Sequence, residues 1–552
     1  MAFINAGPSN PNEGMQKGNN LYIFLLTLVA ALGGLLFGYD TAVVNGAEES
    51  LGKYFVQPAA NDFSLLTRAL VNQYRWLLVI VLFIMAIIIC TQIIKLLGSK
   101  KGSPVSIVLL IGLATWSYFF VNEAVPTIQD NVEVLQNTVN SIKGFMLSSA
   151  LIGCIIGGAL AGVISKSQGR KRGLFIAAIS FLISAIGTWK PETFNFFGVL
   201  PVYSFVVYRI IGGFGVGIAS MISPMYIAEI APAKIRGKLV SFNQFAIIFG
   251  MLVIYFVNYI IAGKGNEQWL TTEGWRWMFF SGVIPAVIFF ILLFFVPETP
   301  RYLAMKGQDN KALKVLEKIG GKEEAQAVLT SIKSTLHETN RPWLSYGSLI
   351  IIVGILLSVF QQFVGINVVL YYAGNIFRNM GASTDSSLMQ TIIVGVVNLL
   401  FTVIAIFTVD KFGRKPLMII GSIGMAVSMI ALGYLFFSQN LGIIALIFML
   451  IYTAAFALSW GPVCWVLLAE IFPNSIRGAL SIAVAAQWIA NWIVSFTFPM
   501  MNDNVKLTAQ FHHGFAYWIY GIMAVLSAIF VWKLIPETKG KSLEEIEHIW
   551  KK

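Results

Sequence analysis

Glu229-Ile-Ala-Pro-Ala-Lys-Ile-Arg236-Gly237 recurs as Glu470-Ile-Phe-Pro-Asn-Ser-Ile-Arg477-Gly478, 241 residues on (229 to 470). Two more segments repeat at nearly the same interval. Gly169-Arg170-Lys171 returns as Gly413-Arg414-Lys415 after 244 residues (169 to 413), and Pro297-Glu298-Thr299 as Pro536-Glu537-Thr538 after 239 (297 to 536). Three motifs at one spacing are hard to obtain by chance. They predict two bundles of the same topology, the plan of many membrane carriers.

What lies between the motifs is apolar. Of 552 residues, 57% are hydrophobic and 12% charged, against about 25% charged in a soluble domain. A spanning helix needs roughly 20 apolar residues. Such runs lie near 21–45, 76–98, 105–122, 145–165, 173–189, 202–228, 239–262 and 277–296, then near 346–373, 388–409, 416–437, 442–470, 479–500 and 515–535. The expectation is an all-α integral membrane protein of about fourteen spans. It divides into a bundle over 1–296, linker helices over 297–343, a second bundle over 344–535 and a tail over 536–552. The net charge of +12 is scattered through short loops rather than gathered in one patch, which excludes nucleic acid as the partner. Lys166, Arg170, Lys171, Arg172, Lys234, Arg236, Lys238, Lys411, Arg414, Lys415 and Arg477 fall on one side, and the positive-inside rule makes that side and both termini cytoplasmic.

The repeat also exposes an insertion. The first helices of the two halves start near residues 21 and 346, about 80 residues further apart than the motif interval. The excess falls between residues 45 and 145 and includes the runs 76–98 and 105–122. They flank a basic turn, Lys95 and Lys100-Lys101. A hydrophobic hairpin over about 75–122 follows, crossing fully with its turn in the cytoplasm; a re-entrant hairpin is the alternative.

Ionisable residues inside apolar runs are costly and mark sites. Asp40 and Arg209 are such a pair. An acid and a base in lipid cost less as partners than apart, and a movement that separates them changes proton affinity. A fixed structural ion pair is the alternative. Gln361, Gln362 and Asn367 would spread around a regular helix, but Gly365 between them offers a place to unwind. Amides both donate and accept, which is suitable for hydroxyl groups. They serve equally as glue between helices. Trp460-Gly-Pro-Val-Cys-Trp465 interrupts another helix, and Gln487 and Asn491, at i and i+4 beside Trp488, face one side of the next. Gln244 is a weaker candidate. Cys90, Cys154 and Cys464 lie in apolar runs without metal-ligand spacing. The four histidines all lie in polar segments, and no phosphate loop or metalloprotease motif is present. No cofactor, metal or bond-breaking chemistry is expected.

At Gly413-Arg414-Lys415, Pro297-Glu-Thr-Pro-Arg301, Gln361-Gln362-x4-Asn367 and Pro536-Glu-Thr-Lys-Gly540 the chain resembles the sugar porters of the major facilitator superfamily. The resemblance covers nearly everything outside residues 50–143. It implies a major facilitator fold of two six-helix bundles, so the hairpin adds two helices to the twelve expected. It also implies a monosaccharide, most closely D-xylose, carried with a proton by a monomer in the bacterial inner membrane, with lipid as the surrounding partner. Gln244, Gln361, Gln362, Asn367, Trp465, Gln487 and Trp488 would bind sugar, with Phe37, Tyr372 and Asn398 nearby. Asp40 would carry the proton and Arg209 would be its partner. Arg170, Glu229, Arg236, Arg414, Glu470 and Arg477 would form a cytoplasmic lattice holding the bundles together when the cavity opens outward. Gly374 departs from the family, where many relatives have proline after Tyr-Tyr-Ala, and a looser outer helix is expected there.

Overall fold

The computed structural model describes residues 20–58, 65–123, 125, 132–196, 198–232, 235–335, 342–472 and 474–539. The first bundle comprises α1 (Asn20–Ala42) with its continuation α2 (Val44–Leu51), a long helical hairpin α3 (Leu65–Asn122), α4 (Val132–Ser167), α5 (Arg170–Trp189), α6 (Pro201–Ile230), α7 (Arg236–Ala262), and the consecutive pieces α8 (Trp275–Phe280) and α9 (Val283–Leu292). Three short helices follow: α10 (Pro300–Met305), α11 (Asp309–Gly320) and α12 (Lys322–Thr335). The second bundle comprises α13 (Leu349–Phe363), α14 (Ile366–Asn379), α15 (Thr384–Phe412), α16 (Arg414–Phe437), α17 (Ile443–Leu458), α18 (Trp460–Ile471), α19 (Leu480–Asn502) and α20 (Gly514–Leu534). Of the expected tail 536–552, only residues 536–539 are described.

The motif repeat is a repeat of packing. In the first bundle α4 and α5 pack on α6, and α1 on α7; in the second, α15 and α16 pack on α17, and α13 on α19. The two bundles meet along α4 with α19 and along α7 with α15. Apolar side chains such as Phe249, Ile288, Ile420 and Ile447 are exposed on the outer faces. In a protein with charged loops and a polar interior, that distribution matches lipid as the surrounding solvent.

Thirteen helical segments among the described residues are long and apolar enough to cross a membrane. One of them doubles back. Gly98 in α3 adopts φ 76° and ψ 164°, a conformation open to glycine and strained for other residues. The two arms run antiparallel. Arg75 bonds Glu123, Tyr74 meets the Phe120 ring at 6.5 Å, and Cys90 Sγ donates to the Ser106 carbonyl at 3.7 Å. Counted by arms, the described residues hold fourteen such apolar helical segments. The open end lies beside the start of α6, where the Leu200 amide donates to Gln73 Oε1 at 2.9 Å. The turn lies at the other face, where Gln92 comes within 3.5 Å of Ser481, next to the Glu470–Gly478 motif. Lys95, Lys100 and Lys101 are therefore on the face of the basic motif loops.

Candidate functional site

Near the middle of the first bundle, where α1 runs on into α2 through a helical Val43, two of the helix carbonyls take side-chain donors. Asn258 Nδ2 donates to the Val43 carbonyl at 3.2 Å, and Arg209 Nη2 to that of Asp40 at 2.9 Å. Arg209 Nη1 donates to Asp40 Oδ1 at 2.8 Å. Arg209 is 1% exposed, with its guanidinium carbon 5.2 Å from the centre of the Phe279 ring. The other carboxylate oxygen, Asp40 Oδ2, is buried without a hydrogen-bond partner. One charge-assisted bond and one carbonyl bond thus hold the guanidinium to α1, and half of the carboxylate's accepting capacity is unused.

In the second bundle α13 ends and α14 begins at Gly365, which is left-handed at φ 91°. The carbonyl freed at Val364 accepts from Tyr452 Oη at 2.7 Å. This break lets amides from both sides of it meet. Asn367 Nδ2 donates to Gln362 Oε1, Gln362 Nε2 to Gln361 Oε1 at 3.3 Å, and Gln487 Nε2 to the same Gln361 oxygen. Gln361 Nε2 donates to the Trp460 carbonyl at 3.0 Å, where the helix of α17 and α18 is interrupted at Ser459. All four amides are buried, and Gln487 Oε1 has no partner. Each exchanged protein–protein bond is worth only about 1 kcal/mol net, so a ligand rich in hydroxyls can replace these bonds at small cost.

Phe37 of α1 meets Trp488 of α19 at 5.6 Å between ring centres, so an aromatic contact joins the bundles beside the amides. Trp465 is half-buried, and Asn398 is buried in α15. Tyr372 is turned into the second bundle and donates to the Ser495 carbonyl at 2.8 Å. Gln244 is half-buried on α7; its neighbour Asn243 is buried against Gly34 of α1.

The repeated motifs form one structure twice. In the first bundle the Arg170 and Lys171 amides at the start of α5 donate to the two oxygens of Glu298, each at 3.1 Å. Arg170 pairs with Glu229 at 2.7 Å, and Thr299 donates to Glu229 at 2.6 Å. In the second, the Arg414 and Lys415 amides donate to Glu537 at 3.1 and 3.0 Å, Arg414 pairs with Glu470 at 2.9 Å, and Thr538 donates to Glu470 at 2.5 Å. Gly169 and Gly413 precede the two helices at φ 103° and 89°, and a Cβ at either would strike the glutamate. A carboxylate capping a helix start satisfies free amides and opposes the helix dipole. Burial pushes the Glu298 carboxyl up, against the lowering by its backbone donors. At the more exposed Glu537 burial also acts upward, but four backbone donors outweigh it and hold the group below its ordinary value. Arg236 donates to the Ala231 carbonyl at 3.3 Å and closes the end of α6. Both of these ion pairs lie within one bundle, and the lattice between bundles is expected of the carrier when its cavity opens outward. Lys234 and the Arg477 side chain lie outside the described residues.

The sugar (and other) transporter family matches residues 26–550. The chain is 51% identical to the D-xylose-proton symporter of Escherichia coli (strain K12) over 546 residues, 96% of each chain. It is 39% identical to a glucose facilitated diffusion protein of Zymomonas mobilis over 416 residues, 74% of this chain and 88% of that one. The inward-open structure of the xylose transporter XylE from E. coli superposes with a TM-score of 0.73 at 49% identity, covering 96% of this chain and all of that one. This chain belongs to the sugar transporter family.

The bundles of this transporter are tied together on the face opposite the motifs, through residues that sequence reasoning missed. Glu48 of α2, 1% exposed, pairs with Lys143 of α4 at 2.9 Å and with Arg378 of α14 at 3.2 Å. Lys143 also reaches Asp503, just past α19, at 3.1 Å, and Arg378 reaches Glu49 at 2.6 Å. Asn45 enters the backbone ladder of α14: its Nδ2 donates to the Leu370 carbonyl at 2.8 Å, and its Oδ1 accepts the Gly374 amide at 3.0 Å. Leu370 and Gly374 are the i and i+4 partners of a regular helix. An asparagine from the other bundle thus bonds both groups of one step of that ladder, and Tyr255 Oη of α7 donates to the same Leu370 carbonyl at 2.7 Å. At Gly374, where a looser outer helix is expected, the amide that proline would lack is used to join the bundles. The only sequence signal was the departure from proline.

Proposed function

We propose that this chain is a D-xylose–proton symporter that imports its sugar by alternating access across the bacterial cytoplasmic membrane, as a monomer with both termini inside. The single observation that carries proton coupling is Arg209, buried and bonded to Asp40 within the membrane core of the first bundle. Protonating Asp40 removes the charge that holds Arg209, and the loaded carrier then changes state. A proton drives that change only by binding the two states with different affinity. On this reading Gln361, Gln362, Asn367 and Gln487 hold the sugar's hydroxyls, with Gln244, Asn398 and Tyr372 around them. Phe37, Trp465 and Trp488 cover its apolar faces. The 51% identity to a protein named for xylose and protons supports both substrates.

The test is uptake of labelled xylose into proteoliposomes with and without an inward proton gradient. Accumulation against a xylose gradient, with one-sided alkalinisation on sugar addition, is expected. Equilibration alone, with no proton movement, would make the chain a facilitator, the activity named for the Zymomonas relative.

A further inference from the structure

Asp40 lines a cavity that lies inside the first bundle, apart from the amides. It is bounded by α1, α5 and the turn from α8 to α9, with Tyr39, Thr188, Ala185, Phe279 and Gly282 among its walls, and its volume is about 10 Å³. That is the scale of one water molecule, and a water is held there only if the site offers it polar partners.

The polar side chains on its walls, Asp40, Tyr39 and Thr188, all have accepting capacity to spare. Arg209 takes only Asp40 Oδ1, and Oδ2 is unpartnered. Thr188 has given its hydroxyl hydrogen to the Ser184 carbonyl at 2.7 Å, leaving lone pairs on its oxygen. Ser281 donates to the Met278 carbonyl at 2.6 Å, so in its 2.7 Å bond with Tyr39 the tyrosine is the donor. The Tyr39 oxygen therefore also retains only accepting capacity. A pocket of acceptors beside a carboxylate suits a guest that only donates. The phenylalanine and alanine walls exclude anything larger. Meanwhile Phe37, on another face of α1, meets Trp488 across the bundle interface, so the amide site and this pocket address different sides of the same helix.

We propose that this pocket is a water-binding site through which Asp40 exchanges its proton, separate from the path of the sugar; the proposal rests on Asp40 being the coupling group. A water held by Asp40 and Thr188 accepts the carboxyl proton, giving Asp40 carboxylate and hydronium. Hydronium, with three donors, is the guest these acceptors hold best before it passes the proton to bulk water. The reverse sequence loads Asp40.

Two variants test this in proteoliposomes. Gly282→Leu fills the pocket at a backbone position of φ −61° that tolerates any side chain, and a Cβ there clears its neighbours by 3.3 Å or more. Thr188→Val removes one acceptor at nearly constant shape and decides the matter if Gly282→Leu does not fold. Counterflow of labelled xylose at equal pH, which needs no net proton movement, should stay near wild type. The initial rate of proton-driven accumulation should fall by about 10-fold or more, the low end of what a positioned proton-transfer group contributes. Variants that exchange xylose and still accumulate it at the wild-type rate overturn the pocket while leaving symport intact. Wild-type uptake that follows sodium instead of protons, or moves no ion, overturns both.

Discussion

Replacing Asn45 by alanine should open the outer face. In the structure Asn45 makes two bonds to α14, at 2.8 and 3.0 Å, both buried, and both exist only while the bundles touch on that side. Each neutral bond contributes about 1 kcal/mol net. When the bundles part, Leu370 and Gly374 keep each other as the i and i+4 partners of α14, so α14 itself loses little in the open state. The loss therefore falls on the outward-closed state alone, about 1–2 kcal/mol, or a roughly 5- to 30-fold shift in the ratio of closed to open carriers. Gly374→Pro should act in the same direction, because it removes one of the two donors. Spin labels at Gln57→Cys and Asp385→Cys, one on each bundle at the outer face, report the gap by pulsed electron resonance. The three native cysteines are buried and leave the labels selective. Asn45→Ala should move a substantial fraction of the distribution to longer distance in sugar-free detergent. An unchanged distribution in folded protein would refute the account of the outer contact as a latch.

Gln361→Ala should weaken xylose binding by about 1–3 kcal/mol, because the remaining amides and a sugar hydroxyl lose a shared partner; titration calorimetry checks it, and unchanged affinity in folded protein removes Gln361 from the site. A single accessible cysteine at Ser103 should be labelled from the cytoplasmic side only, since the α3 turn lies on the face of the motif loops; labelling from outside in intact cells contradicts the fourteen-pass topology. On acidification, Glu298 should take up its proton above 4.5 and Glu537 below it, from the opposite directions of their shifts. The sign for stability differs accordingly: Glu537 supports its helix cap at neutral pH and loses that support below 4.5. Glu298 favours folding when protonated and ceases to as pH rises through its folded value. Isotope-edited infrared titration of the two carboxyls should give that order, and the reverse order would overturn the assignment of burial as the dominant influence on Glu298.

The features legible in the sequence are those with a local or repeated signature. The motif interval implies two like bundles, and the mismatch of that interval exposes the α3 hairpin. Asp40 and Arg209 stood out because charges are rare in apolar runs, and Gly365 because a glycine between amides allows a helix to break. The outer contacts had no such signature. Asn45, Glu48, Lys143, Arg378 and Asp503 lie at or just beyond the ends of the apolar runs, where polar residues are ordinary. Their partners lie as far as 360 residues away, and they meet only because two separately folded bundles close on one another. The pairing of Arg170 with Glu229 and Glu298 shows the same limit: the motifs show which residues are charged, while the packing decides that these pairs close within their own bundle when the outer face is shut. The pocket at Asp40 depends on where three hydroxyl hydrogens are spent, which no spacing in the chain reveals.

The claim that matters most is that Asp40 couples proton to sugar, and Asp40→Asn tests it directly because asparagine approximates a carboxyl that is always neutral. In proteoliposomes holding a pH gradient, the variant should bind xylose and exchange labelled for unlabelled sugar. It should fail to accumulate xylose, and sugar addition should no longer alkalinise the medium. An Asp40→Asn carrier that still concentrates xylose and takes up protons with it would contradict the account.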